Sequence, residues 1–141
     1  MEQELIERFR EIVGAKNAIT DQTLIAPYLL EERGLFHGKT PLLLRPSSPQ
    51  EISLIMQLAS QTRTPIVPQG GNTGLVGGQQ PDERGESVLL SMERLNKIRA
   101  MNLDGSFVVV EAGVILQDLQ KKWMNQAVFF LFLWHLKALA K

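Results

Sequence analysis

Glycine decides what this chain can do chemically. Five of its eleven glycines lie between Gly70 and Gly78, within the string P-Q-G-G-N-T-G-L-V-G-G that runs from Pro68 to Gly78. A peptide of this kind reaches positive φ and lets the backbone approach a ligand without Cβ clashes. Successive N–H groups in such a turn converge into an anion-binding concavity, so the chemistry on offer is phosphate or pyrophosphate binding. Asn72 and Thr73 add side-chain donors that could reach phosphate or ribose oxygens. Two better-known phosphate loops do not fit. The dinucleotide fingerprint needs G-x-G-x-x-G, whereas the glycines here run G-G-x-x-G-x-x-G-G. The mononucleotide loop needs Gly-Lys-Ser/Thr, and no lysine occurs between Lys39 and Lys97. The plain alternative is a flexible surface turn. The doublets Gly70-Gly71 and Gly77-Gly78, with Leu75 and Val76 between them, are more than a solvated linker needs.

The other reactive residue types offer less. His37 and His135 are the only histidines. His37 sits in a polar Phe-His-Gly-Lys turn and reads as a solvated loop residue. His135 has no carboxylate or second histidine at metal-ligand spacing, so no metal site is expected. Glu31-Glu32 reads as a solvated face, because neighbouring residues on a helix point in different directions. Ser47, Ser48 and Ser91 lack a His–acid arrangement for nucleophilic use. Arg45 has two open roles, approach to a bound phosphate and an ordinary surface ion pair. Glu111 ends a strand. No catalytic residue is assigned.

Around these residues the composition is that of an ordinary globular chain, 44% apolar and 21% charged, and 141 residues suffice for one domain with a real core. Lys plus Arg equals Asp plus Glu at 15 each, which gives no footprint for nucleic acid or an acidic membrane surface. Cysteine is absent, which removes disulfides, thiolate metal sites and a thiol nucleophile. The opening Met1-Glu2-Gln3-Glu4-Leu5 is acidic and amphipathic, without the basic and apolar regions of a secretory signal, so the expected location is cytoplasmic.

The elements that must position the loop follow from periodicity. Leu5, Ile6, Phe9, Ile12 and Val13 give an amphipathic helix over residues 3–14 with a glycine stop at Gly14. A second short helix begins at Asp21 as N-cap and runs through Leu30 despite Pro27. Leu42-Leu43-Leu44 reads as a buried strand. Ser48-Pro49 opens a helix whose apolar face is Ile52, Ile55, Met56 and Ala59. Ile66-Val67 is a short strand feeding the glycine loop, and Val88-Leu89-Leu90 is another. That order predicts a small α/β unit with largely parallel strands, the loop sitting at a strand's C-terminal end where open α/β sheets bind ligands. Beyond Ser91, Lys97–Asn102 and Phe107–Glu111 read as a hairpin turning at Asp104-Gly105, and Val114–Trp123 returns to helical spacing. The fold class expected is therefore α+β: the parallel unit, then a β-hairpin and a helix.

Arg45-Pro46, a helical stretch, and then T-P-I-V-P-Q-G-G-N-T-G-L-V-G-G resemble the FAD-linked oxidases of the p-cresol methylhydroxylase and vanillyl-alcohol oxidase superfamily. The likeness is nearest to its D-2-hydroxyacid dehydrogenases: glycolate oxidase D subunit, D-lactate and D-2-hydroxyglutarate dehydrogenases. It runs from the N-terminus to about Gln120 and includes A-P-Y-L-L-E-E-R-G-L-F at Ala26–Phe36 and V-V-V-E-A-G-V at Val108–Val114. The resemblance implies FAD as cofactor, its pyrophosphate held by backbone N–H groups of the glycine loop. The contacts it implies are Pro68, Gln69, Gly70, Gly71, Asn72, Thr73, Gly74, Leu75, Gly77 and Gly78. It also implies a much longer chain, with the base, metal-ligand histidines and substrate arginines in a later substrate domain.

The expected organisation is an N-terminal helical segment at 1–37, part of the FAD-binding domain at 38–120, and a tail at 121–141. The tail carries four lysines, no acid, both tryptophans and an unbroken apolar run, Ala127–Trp134. Eight apolar residues are too few to span a bilayer, which takes about 20. A buried terminal element and an out-of-frame continuation after a frameshift are both open readings of it. The leading functional reading is the FAD-binding N-terminal portion of a D-2-hydroxyacid dehydrogenase, inactive alone. A stand-alone nucleotide-binding module, a non-functional truncated product and a subunit completed by a separately encoded remainder are the other readings.

Overall fold

Leu42, Leu43 and Leu44 are all fully buried, because both faces of the strand they build are covered. In a computed structural model of the chain, which describes residues 1–102, 104 and 107–124, Leu42 and Leu44 face one layer and Leu43 the opposite one. The strand Val88–Ser91 repeats the pattern, Val88 and Leu90 on the first side and Leu89 on the second, as period-two alternation requires. The first layer is made by helix α1 (Gln3–Val13) through Ile6, Phe9 and Val13, and by helix α3 (Pro49–Thr62) through Ile55, Leu58 and Ala59. On the second side lie Ile25 from helix α2 (Gln22–Ile25), with Tyr28 and Leu29 from the 3-10 turn that follows it.

The main sheet has the order β1-β2-β4-β3, with β1 at Ala18–Ile19, β2 at Leu43–Leu44, β3 at Ile66–Gln69 and β4 at Val88–Ser91. Strands β2 and β3 both run parallel to β4, in registers Leu44↔Leu90 and Gln69↔Ser91, while β1 joins β2 antiparallel. A second sheet is the antiparallel hairpin β5 (Ile98–Asn102) and β6 (Phe107–Val110), followed by helix α4 (Leu116–Met124). The mixed architecture, a mostly parallel unit followed by a hairpin and a helix, is the one the sequence predicts.

Local chemistry sets the element ends. Gly14 stops α1 with φ +80°, a value L side chains rarely adopt. Ser48 caps α3 by accepting from the Glu51 N–H at 3.2 Å, and the Glu51 carboxylate reaches back to the Ser47 N–H at 2.7 Å, a variant of the reciprocal capping box. Three readings need correction. The helix expected to reach Leu30 is α-helical only to Ile25 and then tightens into a 3-10 turn over Ala26–Leu29, because Pro27 has no N–H for an α ladder. On α3 Met56 is exposed and Leu58 is buried instead: one residue on from Ile55 lies about 100° round the helix, whereas three and four residues on return to its face. Glu31 is buried, not solvated, because its carboxylate accepts the Leu35 N–H at 2.8 Å and closes a turn beside Arg33.

No helix of the described residues is long and apolar enough to cross a membrane. The hairpin tip at Gly105, the apolar run Ala127–Trp134 and His135 lie outside the described residues.

Candidate functional site

Parallel neighbours need a crossover of a dozen or more residues, ordinarily a helix. Between β3 and β4 that crossover is residues 70–87, and it contains no helix. The glycine-rich string is thus the exit of β3, placed at the strand's C-terminal end. Its side-chain amides are turned inward. Gln69, the last residue of β3, is almost fully buried and donates through Nε2 to the Tyr28 carbonyl at 2.9 Å and the Gln79 carbonyl at 3.1 Å. Asn72 takes φ +55°, the left-handed region that asparagine tolerates better than most residues. Its Nδ2 donates to the Leu30 carbonyl at 2.7 Å, and its Oδ1 accepts from Gln80 Nε2 at 2.9 Å. Gln80 Nε2 and Asn72 Nδ2 also reach the Tyr28 carbonyl, at 3.4 and 3.5 Å.

Backbone donors and acceptors in the loop are treated differently. Several loop carbonyls are occupied: Gly74 by Gln79 Nε2 at 2.7 Å, Leu75 by the Arg33 guanidinium, and Gly77 by the Gln80 N–H at 3.0 Å. No N–H from Gly70 to Gly78 finds an acceptor among the described residues. A turn with capped carbonyls and free amides is biased toward an anion. Gly77, at φ +75°, lies so close to Phe36 that a Cβ built there would meet the ring at 2.6 Å.

The start of the loop opens onto a cavity of about 590 Å³. Gln69, Gly70, Gly71 and Asn72 line it together with Gly113, Val114 and Ile115, which lead into α4. Tyr28 and Glu93 line it as well. Gly113 is where the two sheets meet: its N–H donates to the Leu95 carbonyl at 2.8 Å, and a Cβ there would collide with the Met92 carbonyl. Among the described residues no lysine or arginine lines the cavity, and the carboxylates that do are Glu93 and Asp118. The backbone amides must therefore supply the pull on an anion. Glu93 is neutralised by an ion pair with Arg45, which resolves the two roles open for that arginine in favour of the pair, and it accepts the Tyr28 hydroxyl at 3.0 and 3.1 Å. Burial, then the hydrogen bond and charge of Glu93, raise the Tyr28 phenol above its ordinary range, so it remains a donor at neutral pH.

Of the residues expected at the site, Gln69, Gly70, Gly71 and Asn72 line the cavity, Pro68 lies before them on β3 outside the lining, and Thr73, Gly74, Leu75, Gly77 and Gly78 continue the loop beyond it. The side-chain amides of Gln69 and Asn72 hydrogen-bond to carbonyls of Tyr28, Leu30 and Gln79, bracing the loop. Tyr28, Glu93 and Gly113 were not picked out from the sequence. Tyr28 and Gly113 lie in the two outlying segments that carry the resemblance, and that was the available signal.

A parallel strand that ends in a glycine-rich loop over a cavity has the geometry of an anion-binding site. Residues 40–134 match the family described as FAD binding domain, and the chain belongs to that family, with FAD as its cofactor. The matched span runs past Gln120, beyond the residues that carry the sequence resemblance. The mitochondrial D-2-hydroxyglutarate dehydrogenase of Arabidopsis thaliana is 36% identical over 116 residues, covering 81% of this chain and 20% of that protein. D-lactate dehydrogenase of Anaerostipes hadrus is 27% identical over 128 residues, 90% of this chain and 26% of the other. Among solved structures, p-cresol methylhydroxylase with substrate bound superposes with a TM-score of 0.75 at 18% identity, over 88% of this chain and 24% of that one. An alkyldihydroxyacetonephosphate synthase superposes at 0.77 with 20% identity, over 89% and 25%. These likenesses show the shared fold. The chain spans about a fifth to a quarter of the curated relatives' length.

Proposed function

We propose that this chain supplies the pyrophosphate-holding part of the FAD domain of a dehydrogenase acting on D-2-hydroxy acids. The observation that carries the reading is the loop Gly70–Gly78, whose N–H groups meet no acceptor among the described residues while the carbonyls of Gly74, Leu75 and Gly77 are occupied. The relatives supply the substrate class, and the loop supplies the cofactor end. FAD, when bound, provides the hydride acceptor that such an oxidation needs. The chain's part is to bind and orient: amides of Gly70–Leu75 toward the diphosphate, and the lining at Gly113–Ile115 excluding water. No histidine lines the cavity among the described residues, and turnover is assigned to no residue here. The proton-abstracting and carboxylate-binding groups belong, in this reading, to the further length present in the relatives, on the same polypeptide or on a separately encoded partner.

The test is titration of the purified chain with FAD, read by quenching of flavin fluorescence, with ADP as competitor. Saturable micromolar binding that ADP displaces only weakly supports the reading. Equal affinity for ADP and FAD favours a stand-alone nucleotide module, and no binding by a folded chain overturns the assignment.

A further inference from the structure

The amide side chains that shape the glycine loop converge on one atom outside it. The Tyr28 carbonyl receives Gln69 Nε2 at 2.9 Å, Gln80 Nε2 at 3.4 Å and Asn72 Nδ2 at 3.5 Å. These three residues flank or belong to the loop: Gln69 where it leaves β3, Asn72 at its left-handed turn, Gln80 on its return. The carbonyl belongs to a 3-10 turn, Ala26–Leu29, that has no long helix to hold it. What holds it is the side chain of the same residue. The Tyr28 hydroxyl donates to both oxygens of Glu93, on the segment after β4, and Glu93 is fixed in turn by Arg45 at the end of β2. Arg45 belongs to the segment whose N–H donates to the Asn17 carbonyl at 2.9 Å, and its own carbonyl accepts from Arg94 at 2.7 Å. The network is thus anchored on both sides of the central strands.

We propose that Tyr28 is a positioning residue for the diphosphate loop: the Arg45–Glu93 pair holds its hydroxyl, and its carbonyl sets the three amides that pre-form the loop before cofactor arrives. Pre-forming the loop removes ordering cost from binding, so loss of the tether weakens affinity without removing any ligand contact. Glu93 lies on the cavity wall as a carboxylate beside an anion site, an arrangement that would oppose binding if Arg45 did not neutralise it. This inference rests on the proposed FAD-binding role, and its test has one arm that does not.

The experiment compares Tyr28→Phe, Glu93→Ala and Glu93→Gln in this chain. The first arm is 15N relaxation of the Gly70–Thr73 and Gln80 amides without cofactor, with the β2 and β4 amides as internal reference. Loosening of the loop in Tyr28→Phe and Glu93→Ala is expected, with the strands unchanged, and recovery in Glu93→Gln, which keeps an acceptor for the hydroxyl. The second arm is FAD affinity, expected to fall about tenfold in Tyr28→Phe, the scale of one hydrogen bond to a charged group. Tyr28→Phe combined with Glu93→Ala should be no worse than either alone. A loop equally ordered in all variants overturns the proposal, as does Glu93→Gln behaving like Glu93→Ala. Should Tyr28→Phe fail to fold, the two Glu93 variants still decide. If the unmodified chain binds no FAD, the functional assignment falls, while the relaxation arm still judges the role of Tyr28.

Discussion

Gly77 and Gly78 are adjacent and the sequence treats them alike, yet the structure gives them opposite demands. Gly77 has φ +75° and its missing Cβ would sit 2.6 Å from the Phe36 ring, whereas Gly78 has nothing within 4 Å and no positive φ. Alanine at Gly77 must bear the left-handed penalty of about 1–2 kcal/mol and push Phe36 aside. Alanine at Gly78 meets no such obstacle and restricts only the unfolded chain, for a change of about 0.4–1 kcal/mol in favour of folding. Urea midpoints of Gly77→Ala and Gly78→Ala against the parent chain check this, and equal midpoints would contradict the loop geometry. At this scale the sequence made the loop legible through glycine spacing alone. It hid Tyr28 and Glu93, which meet across 65 residues and carry no local pattern. It misled on Glu31, because the rule used concerned helix faces and the residue closes a turn.

Among the elements, α3 has the clearest sequence signature. Ser48, Pro49 and Glu51 supply cap, first-turn proline and capping-box partner, and the helix starts where they place it. Replacing Ser48 by alanine removes the acceptor of the Glu51 N–H and should cost about 1 kcal/mol. The loss should register as a lower thermal midpoint with the chain's helical content unchanged below the transition. An unaltered midpoint would mean the Glu51 carboxylate alone holds the end. The leucine runs of β2 and β4 were equally plain, because strands buried on both faces are apolar throughout. Strand β1 was not, since two residues, Ala18 and Ile19, are too few to show any period; it exists because Leu43 and Leu44 offer it an edge. The face of α3 was read one position off at Met56, an error that disappears once Leu58 is seen to lie three residues from Ile55.

For the molecule as a whole, the hairpin sheet leads into the cavity lining at Gly113–Ile115, and Glu111 fastens the base of that hairpin just before it. The Glu111 carboxylate accepts the Lys97 N–H at 2.9 Å and the Arg99 guanidinium at 2.9 and 3.2 Å, while its own N–H donates to the Lys97 carbonyl at 2.9 Å. The backbone hydrogen bond from Lys97, reinforced by Arg99, holds the carboxyl below its ordinary range. Glu31 is lowered mainly by the Leu35 N–H, and Asp21 mainly by the Thr23 hydroxyl. A carboxylate whose folded-state value is depressed stabilises the fold fully above its unfolded value, near 4.5 for glutamate, and loses that contribution as pH falls through the folded value. Urea midpoints should therefore be steady from neutral pH down to about that point and decline below it. Glu111→Gln keeps an acceptor for Lys97 but gives up the charge facing Arg99, so it should be less stable than the parent at neutral pH. The gap should narrow as acid neutralises the parent's own carboxyl. A gap that stays constant through the acid limb would show that Glu111 acts by shape alone, and the wall at Gly113–Ile115 would then owe its place to the backbone bonds of Gly113 and Glu111.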